Sequence, residues 1–163
     1  MSIKSIEVRN LLSFDNLYID KFEDVNCIIG QNNVGKSNLL KILRFFYSKL
    51  DGGRELPPTL HSKYSSFGSI KVTYNTTRIR SIVTSKRAKT TFQKHIYNTL
   101  FRENAVDFLQ FFNPIISKDS EHSLTLFIHS NEAVTWKDDD ESIRTIINHL
   151  YPFFAIETRH IDL

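Results

Sequence analysis

The chain holds a single cysteine, Cys27, among 163 residues. An internal disulfide framework and any multi-cysteine zinc site are therefore excluded. Glycine and proline are scarce, at 5 and 4 residues, which excludes collagen-like and flexible Pro/Gly-rich chains. No apolar run approaches the ~20 residues of a membrane-spanning helix. The N-terminus lacks the apolar stretch of a secretory signal, so the sequence predicts a cytoplasmic protein with no membrane partner. The histidines (His61, His95, His122, His129, His149 and His160) are scattered without metal-ligand spacing. What is present is ordinary for a soluble globular protein: 40% hydrophobic and 24% charged residues, with a net charge of +3. The length suits a single domain over residues 1–163.

Apolar patterning predicts the elements. Ile3, Ile6 and Val8 suggest a first strand and Leu17 to Ile19 a second. Val25 to Ile29 is a compact apolar run, expected to be a buried strand with Cys27 inert inside it. Leu39, Leu40, Ile42, Leu43, Phe46 and Leu50 recur at helical spacing, and Asp51-Gly52-Gly53 supplies a stop. Residues 56–136 read as an insertion of hairpins and helices. In it, Ile70 to Tyr74 and Ile79 to Thr84 form an expected hairpin across Asn75–Arg78. Helices are expected near Arg87–Asn104 and Val106–Phe112, the latter stopped by Pro114. A second hairpin joins Leu124–Ile128 to Ala133–Trp136. A last helix carries Ile143, Ile146, Ile147 and Leu150, with Asp138 to Glu141 at its start, and Phe153 to Ile156 close with a strand.

One motif carries chemistry. Gly30-Gln31-Asn32-Asn33-Val34-Gly35-Lys36-Ser37 satisfies G-x-x-x-x-G-K-[ST] at every fixed position, between an apolar run and an amphipathic helix. Polyphosphate concentrates negative charge. Glycines let the backbone curl so that its N–H groups face inward, and the helix N-terminus adds a favourable dipole. In this pattern Lys36 reaches the β- and γ-phosphates and Ser37 ligates Mg²⁺. The Asn-Lys-x-Asp base-reading motif of small GTPases does not occur.

The opening strand, followed by Asn10-Leu11-Leu12-Ser13-Phe14 and then the Asn-rich phosphate loop, resembles the ABC-type ATPases of the SMC/RecF/OLD group. Within it, the chain is most similar to OLD-family proteins and the PtuA-type ATPases of Septu and retron anti-phage systems; Thr158-Arg159-His160-Ile161-Asp162 also looks like that set. The resemblance implies an α/β P-loop fold of the ABC lobe-I type with an antiparallel β component. It implies ATP and Mg²⁺ at Gly30, Gln31, Asn32, Asn33, Val34, Gly35, Lys36 and Ser37, with Asn38 just inside the helix and Arg9, Asn10 and Ser13 bordering the nucleotide. Leu12 stands where many relatives carry Arg. The implied partners are a second copy, in a homo-oligomer, and an associated nuclease or a retron reverse transcriptase–msDNA complex.

The group also needs a serine-glycine signature and an apolar strand ending in Asp-Glu, and neither occurs here. Ser65-Ser66-Phe67-Gly68 lies in the wrong half and before a strand. The expectation is an N-terminal lobe of a longer ATPase. The alternative is a self-contained P-loop NTPase or kinase with Glu157 as the metal-side acid.

Charge order adds a separate expectation. No acid occurs between Leu56 and Arg102, whereas Glu103 to Glu141 is strongly acidic. Arg78, Arg80, Lys86, Arg87, Lys89 and Lys94 could form a basic surface for nucleic-acid phosphate or another subunit.

Overall fold

The computed structural model describes residues 3–23, 25–29, 35–84, 112–115, 120–137 and 141–154. Five strands form one sheet: β1 (Ile3–Leu11), β2 (Phe14–Ile19), β3 (Phe67–Asn75), β4 (Glu121–His129) and β5 (Val134–Trp136), in the order β2-β1-β3-β4-β5. Every neighbouring pair is antiparallel. Among the described residues the helices that accompany it are α1 (Lys36–Leu50), α2 (Thr77–Thr84) and α3 (Glu141–Leu150), with a further helical turn at 112–115.

Register explains the core. Ile6 lies opposite Val72, which lies opposite Leu124; Val8 lies opposite Ile70, which lies opposite Leu126. Alternation puts all six on one face, and all are buried with Leu39, Ile42, Leu43 and Phe46 of α1. The Phe46 ring meets Trp136 edge-on at 5.4 Å, so Trp136 is a packing residue. Ile143 and Ile147 of α3 join the same core. On α3, Ile146 instead anchors a second cluster with Ile79, Val83, Phe112 and Ile115.

Several expected elements differ. Ile79 to Thr84 is not a return strand but lies in α2, because Ile79 and Val83, four residues apart, point to the second cluster. β3 therefore pairs with β1 and with β4, and residues 56–136 supply three of the five strands. Residues 112–115 are helical through Pro114 instead of ending before it. His122, 5% exposed, ties this turn to the sheet: its Nε2–H donates to the Pro114 carbonyl at 3.0 Å, and its Nδ1 accepts the Thr76 hydroxyl at 2.9 Å.

Val25 to Ile29 is not a buried strand. Val25, Ile28 and Ile29 are 86%, 52% and 89% exposed, and Cys27 is exposed. A mostly apolar run that is to be a buried strand needs cover on both faces, and this one carries Asn26, whose side chain bonds the Glu23 backbone. Among the described residues, β1 already has β2 and β3 as its neighbours, and no strand pairs with 25–29. Phe153 and Phe154 are likewise not in a strand; Phe153 stacks flat on Tyr47 at 4.8 Å, and Phe154 is exposed. The expected Arg87–Asn104 helix, most of Val106–Phe112, Ala155 and Ile156 lie outside the described residues.

Candidate functional site

The site is built at the N-terminus of α1. Gly35 is the residue before the helix and has φ +95°, a left-handed conformation that L side chains rarely adopt. A Cβ there would also sit 3.0 Å from the Phe14 ring and 3.5 Å from Ser13 Oγ. Glycine is thus required chiefly by conformation, and the space beside it is tight. The Leu39 N–H donates to the Gly35 carbonyl at 2.9 Å, closing the first turn. That turn holds no acid and starts with Lys36. The positive dipole end of a helix start and a lysine together suit a polyphosphate. Ser37 is exposed beside Lys36. Asn38 donates through Nδ2 to Ser13 Oγ at 2.9 Å, which fixes the β1–β2 turn against the helix. Gly30, Gln31, Asn32, Asn33 and Val34 lie outside the described residues.

The β1–β2 turn is in turn gripped by a loop that the sequence reading did not single out. Asn10 has φ +53° and is 8% exposed. Its Nδ2 donates to the Phe67 carbonyl at 3.1 Å and its Oδ1 accepts from the Ser62 N–H at 2.9 Å. Its backbone carbonyl accepts from the His61 N–H at 3.0 Å. Leu12, at φ +51°, donates its N–H to Thr59 and accepts from the His61 ring at 2.8 Å. Gly68 completes the grip, since a Cβ there would lie 2.5 Å from Leu11 Cδ2. Of the residues expected to border the nucleotide, Ser13 alone is placed against the end of the phosphate loop. Asn10 is turned into the 59–67 loop, and Arg9 bonds Glu7 at 2.7 Å. A mid-chain Asn tolerates left-handed backbone, and that was the one available signal.

Arg78 and Arg80 lie on α2, while Lys86, Arg87, Lys89, Lys94 and Glu157 lie outside the described residues. Among the described residues, no group of three His, Cys, Asp or Glu could hold a metal ion. His61, His129 and His149 bond Leu12, Thr135 and Thr145 respectively. Phe67 and Gly68 of the rejected signature belong to β3. Near the far end of α1, the Tyr74 hydroxyl donates to the Tyr47 hydroxyl at 2.9 Å, and burial pushes both phenols above the usual tyrosine range. The Tyr151 phenol is pushed up to about 12 by burial, opposed by the charge of Arg78. A cavity of about 550 Å³ between the C-terminal ends of α1 and α3, lined by Arg44, Asp51 and His149, lies at this far end and not at Gly35. No described helix is long and apolar enough to cross a membrane.

Comparison with known proteins agrees with this geometry. Residues 1–161 match the model of a family described as an AAA ATPase domain. An uncharacterized protein of Methanocaldococcus jannaschii, MJ1542, is 36% identical over 118 residues, covering 69% of this chain. An ATP/GTP phosphatase of Helicobacter pylori is 47% identical over 47 residues, covering 29% of this chain. The matched region is 13% of the length of each of these two relatives. A solved structure from work on ATP-driven dimerization and DNA-stimulated activation of SMC ATPases superposes with a TM-score of 0.51 at 11% identity, over 92% of this chain and 80% of that one. At that identity the likeness is one of fold: a mixed α/β P-loop ATPase fold with an antiparallel sheet. With a left-handed Gly35 directly before a helix that opens on the Lys-Ser of G-x-x-x-x-G-K-S, and a family match across nearly its whole length, the chain belongs to the AAA ATPase domain family.

Proposed function

We propose that the chain is the N-terminal ATP-binding lobe of a longer SMC-like ABC ATPase that acts in anti-phage defence. ATP with Mg²⁺ binds at 30–37. The loop amides cradle the phosphates, Lys36 holds the β- and γ-phosphates, and Ser37 serves the metal. The observation that carries this reading is the fit of motif to geometry: Gly35 at φ +95° directly before an acid-free helix start that opens with Lys36. The rest of the protein supplies the signature and the metal-side acids. The apolar run at 25–29 and the far greater length of the relatives support that division. ATP closes two copies around the nucleotide and hydrolysis releases them, controlling nucleic-acid sensing or an associated nuclease or retron complex. The likeness to an SMC ATPase, studied for ATP-driven dimerization, supports the pairing of two copies.

The test is Lys36→Ala in the full-length protein, with ATP binding measured by calorimetry. Binding should be lost with the fold intact, because a charge-assisted phosphate contact is removed. Unchanged affinity would overturn the phosphate-loop assignment.

A further inference from the structure

The 59–66 loop has no role in the reading above, yet it is anchored as firmly as an element. Thr59, His61 and Ser62 all bond the β1–β2 turn, four bonds in all, to Asn10 and Leu12. The same turn abuts the phosphate loop, through Phe14 and Ser13 against Gly35 and through Ser13 with Asn38. Hence a single rigid unit joins α1's first turn to the loop. Three residues beyond His61, at most about 10 Å of chain, stands Tyr64, a fully exposed residue. Its backbone is held as well, the N–H donating to Ser62 Oγ at 3.2 Å. Lys63 precedes it. A large ring held out in water on a fixed backbone forgoes burial that a flexible loop would find.

We propose that the 59–66 loop forms the nucleoside side of the nucleotide site, with the Tyr64 ring as the surface on which the base stacks and Asn10 as the residue that positions it. This rests on the phosphate-loop reading and adds the base to it. Phosphate is then read by 30–37 and the base by a loop some thirty residues downstream, and the β1–β2 turn fixes their separation. Asn10 acts through the loop and touches no ligand: its left-handed backbone and its buried amide, which both donates and accepts, set where Tyr64 stands.

The experiment compares Mg·ATP with Mg·tripolyphosphate, which lacks the nucleoside, in the full-length protein by calorimetry. Tyr64→Ala should weaken ATP about tenfold, in line with measured base–aromatic stacking, and leave tripolyphosphate unchanged. Tyr64→Phe keeps the ring and should keep the affinity. Asn10→Ala should lower ATP affinity with tripolyphosphate retained; should it fail to fold, the Tyr64 pair still decides. Wild-type ATP affinity in Tyr64→Ala, or an equal loss for both ligands, would overturn the proposal. Undiminished binding of both ligands by Lys36→Ala would instead sink the phosphate-loop reading, and this one with it.

Discussion

Gly35 and Gly68 show why two residues of the same type fail differently. At Gly35 the obstacle is mainly backbone conformation, since the Phe14 ring 3.0 Å away can turn aside. Gly35→Ala should therefore cost about 1–2 kcal/mol of stability and abolish nucleotide binding. At Gly68 the obstacle is fixed matter, the Leu11 side chain at 2.5 Å and the Asn10 carbonyl at 2.9 Å. Gly68→Ala should cost about 1–3 kcal/mol by overpacking; urea midpoints would read both effects. The buried tyrosines give a pH prediction. An unfolded tyrosine ionises near pH ~10, whereas Tyr47, Tyr74 and Tyr151 hold their protons longer in the fold. Their stabilisation is full below about pH 10 and is lost as pH rises above it, for Tyr151 through about 12. The urea midpoint should be flat up to ~10 and fall beyond, and Tyr74→Phe should make that fall shallower. The G-x-x-x-x-G-K-S motif was legible because polyphosphate chemistry demands fixed residue types at fixed spacing. The bonds of Asn10 to the 59–67 loop were not legible, because sequence does not say which way a buried amide turns.

The elements were read best where one periodicity stands alone. α1 and the β4–β5 hairpin lie where their apolar spacing puts them. Ile79 to Thr84 misled because Ile79 and Val83 fit both a strand's alternation and a helix's four-residue step. The tie is broken by distant residues, Phe112, Ile115 and Ile146, that give a helical face somewhere to go. A substitution pair separates the two readings. Ile79→Ala should cost about 2–5 kcal/mol, since Ile79 is buried in that cluster. Ser81→Glu should change stability by less than about 0.5 kcal/mol, because Ser81 faces water on the helix, whereas in a strand it would share the inner face. Thermal melts of the two variants would show the contrast.

For the whole molecule, the surface at 25–29 is the least settled feature. Its apolar character was plain from the sequence, but its environment was not, since burial depends on chain that must come to lie beside it. Val25 and Ile29, 86% and 89% exposed, are an open invitation to pairing. The 163-residue chain made alone should self-associate, and Val25→Lys with Ile29→Lys should shift it toward monomer in sedimentation. In the full-length protein the same double change should lower the melting temperature, if partner strands cover that run. An unaltered melting temperature would count against the N-terminal-lobe reading.

The order β2-β1-β3-β4-β5 also sets a timetable for the chain as it leaves the ribosome. β1 and β2 emerge together and can pair at once. The helix that follows the phosphate loop appears next, but the inner residues of its core, Ile70, Val72, Leu124 and Leu126, belong to strands made much later. At roughly 5–20 residues per second, several seconds separate Leu50 from Leu126. Through that interval Phe45 and Phe46 have no sheet to lie on, and the nucleotide pocket has no stable floor. The floor beneath the first turn of α1 is thus incomplete until β4 has been translated.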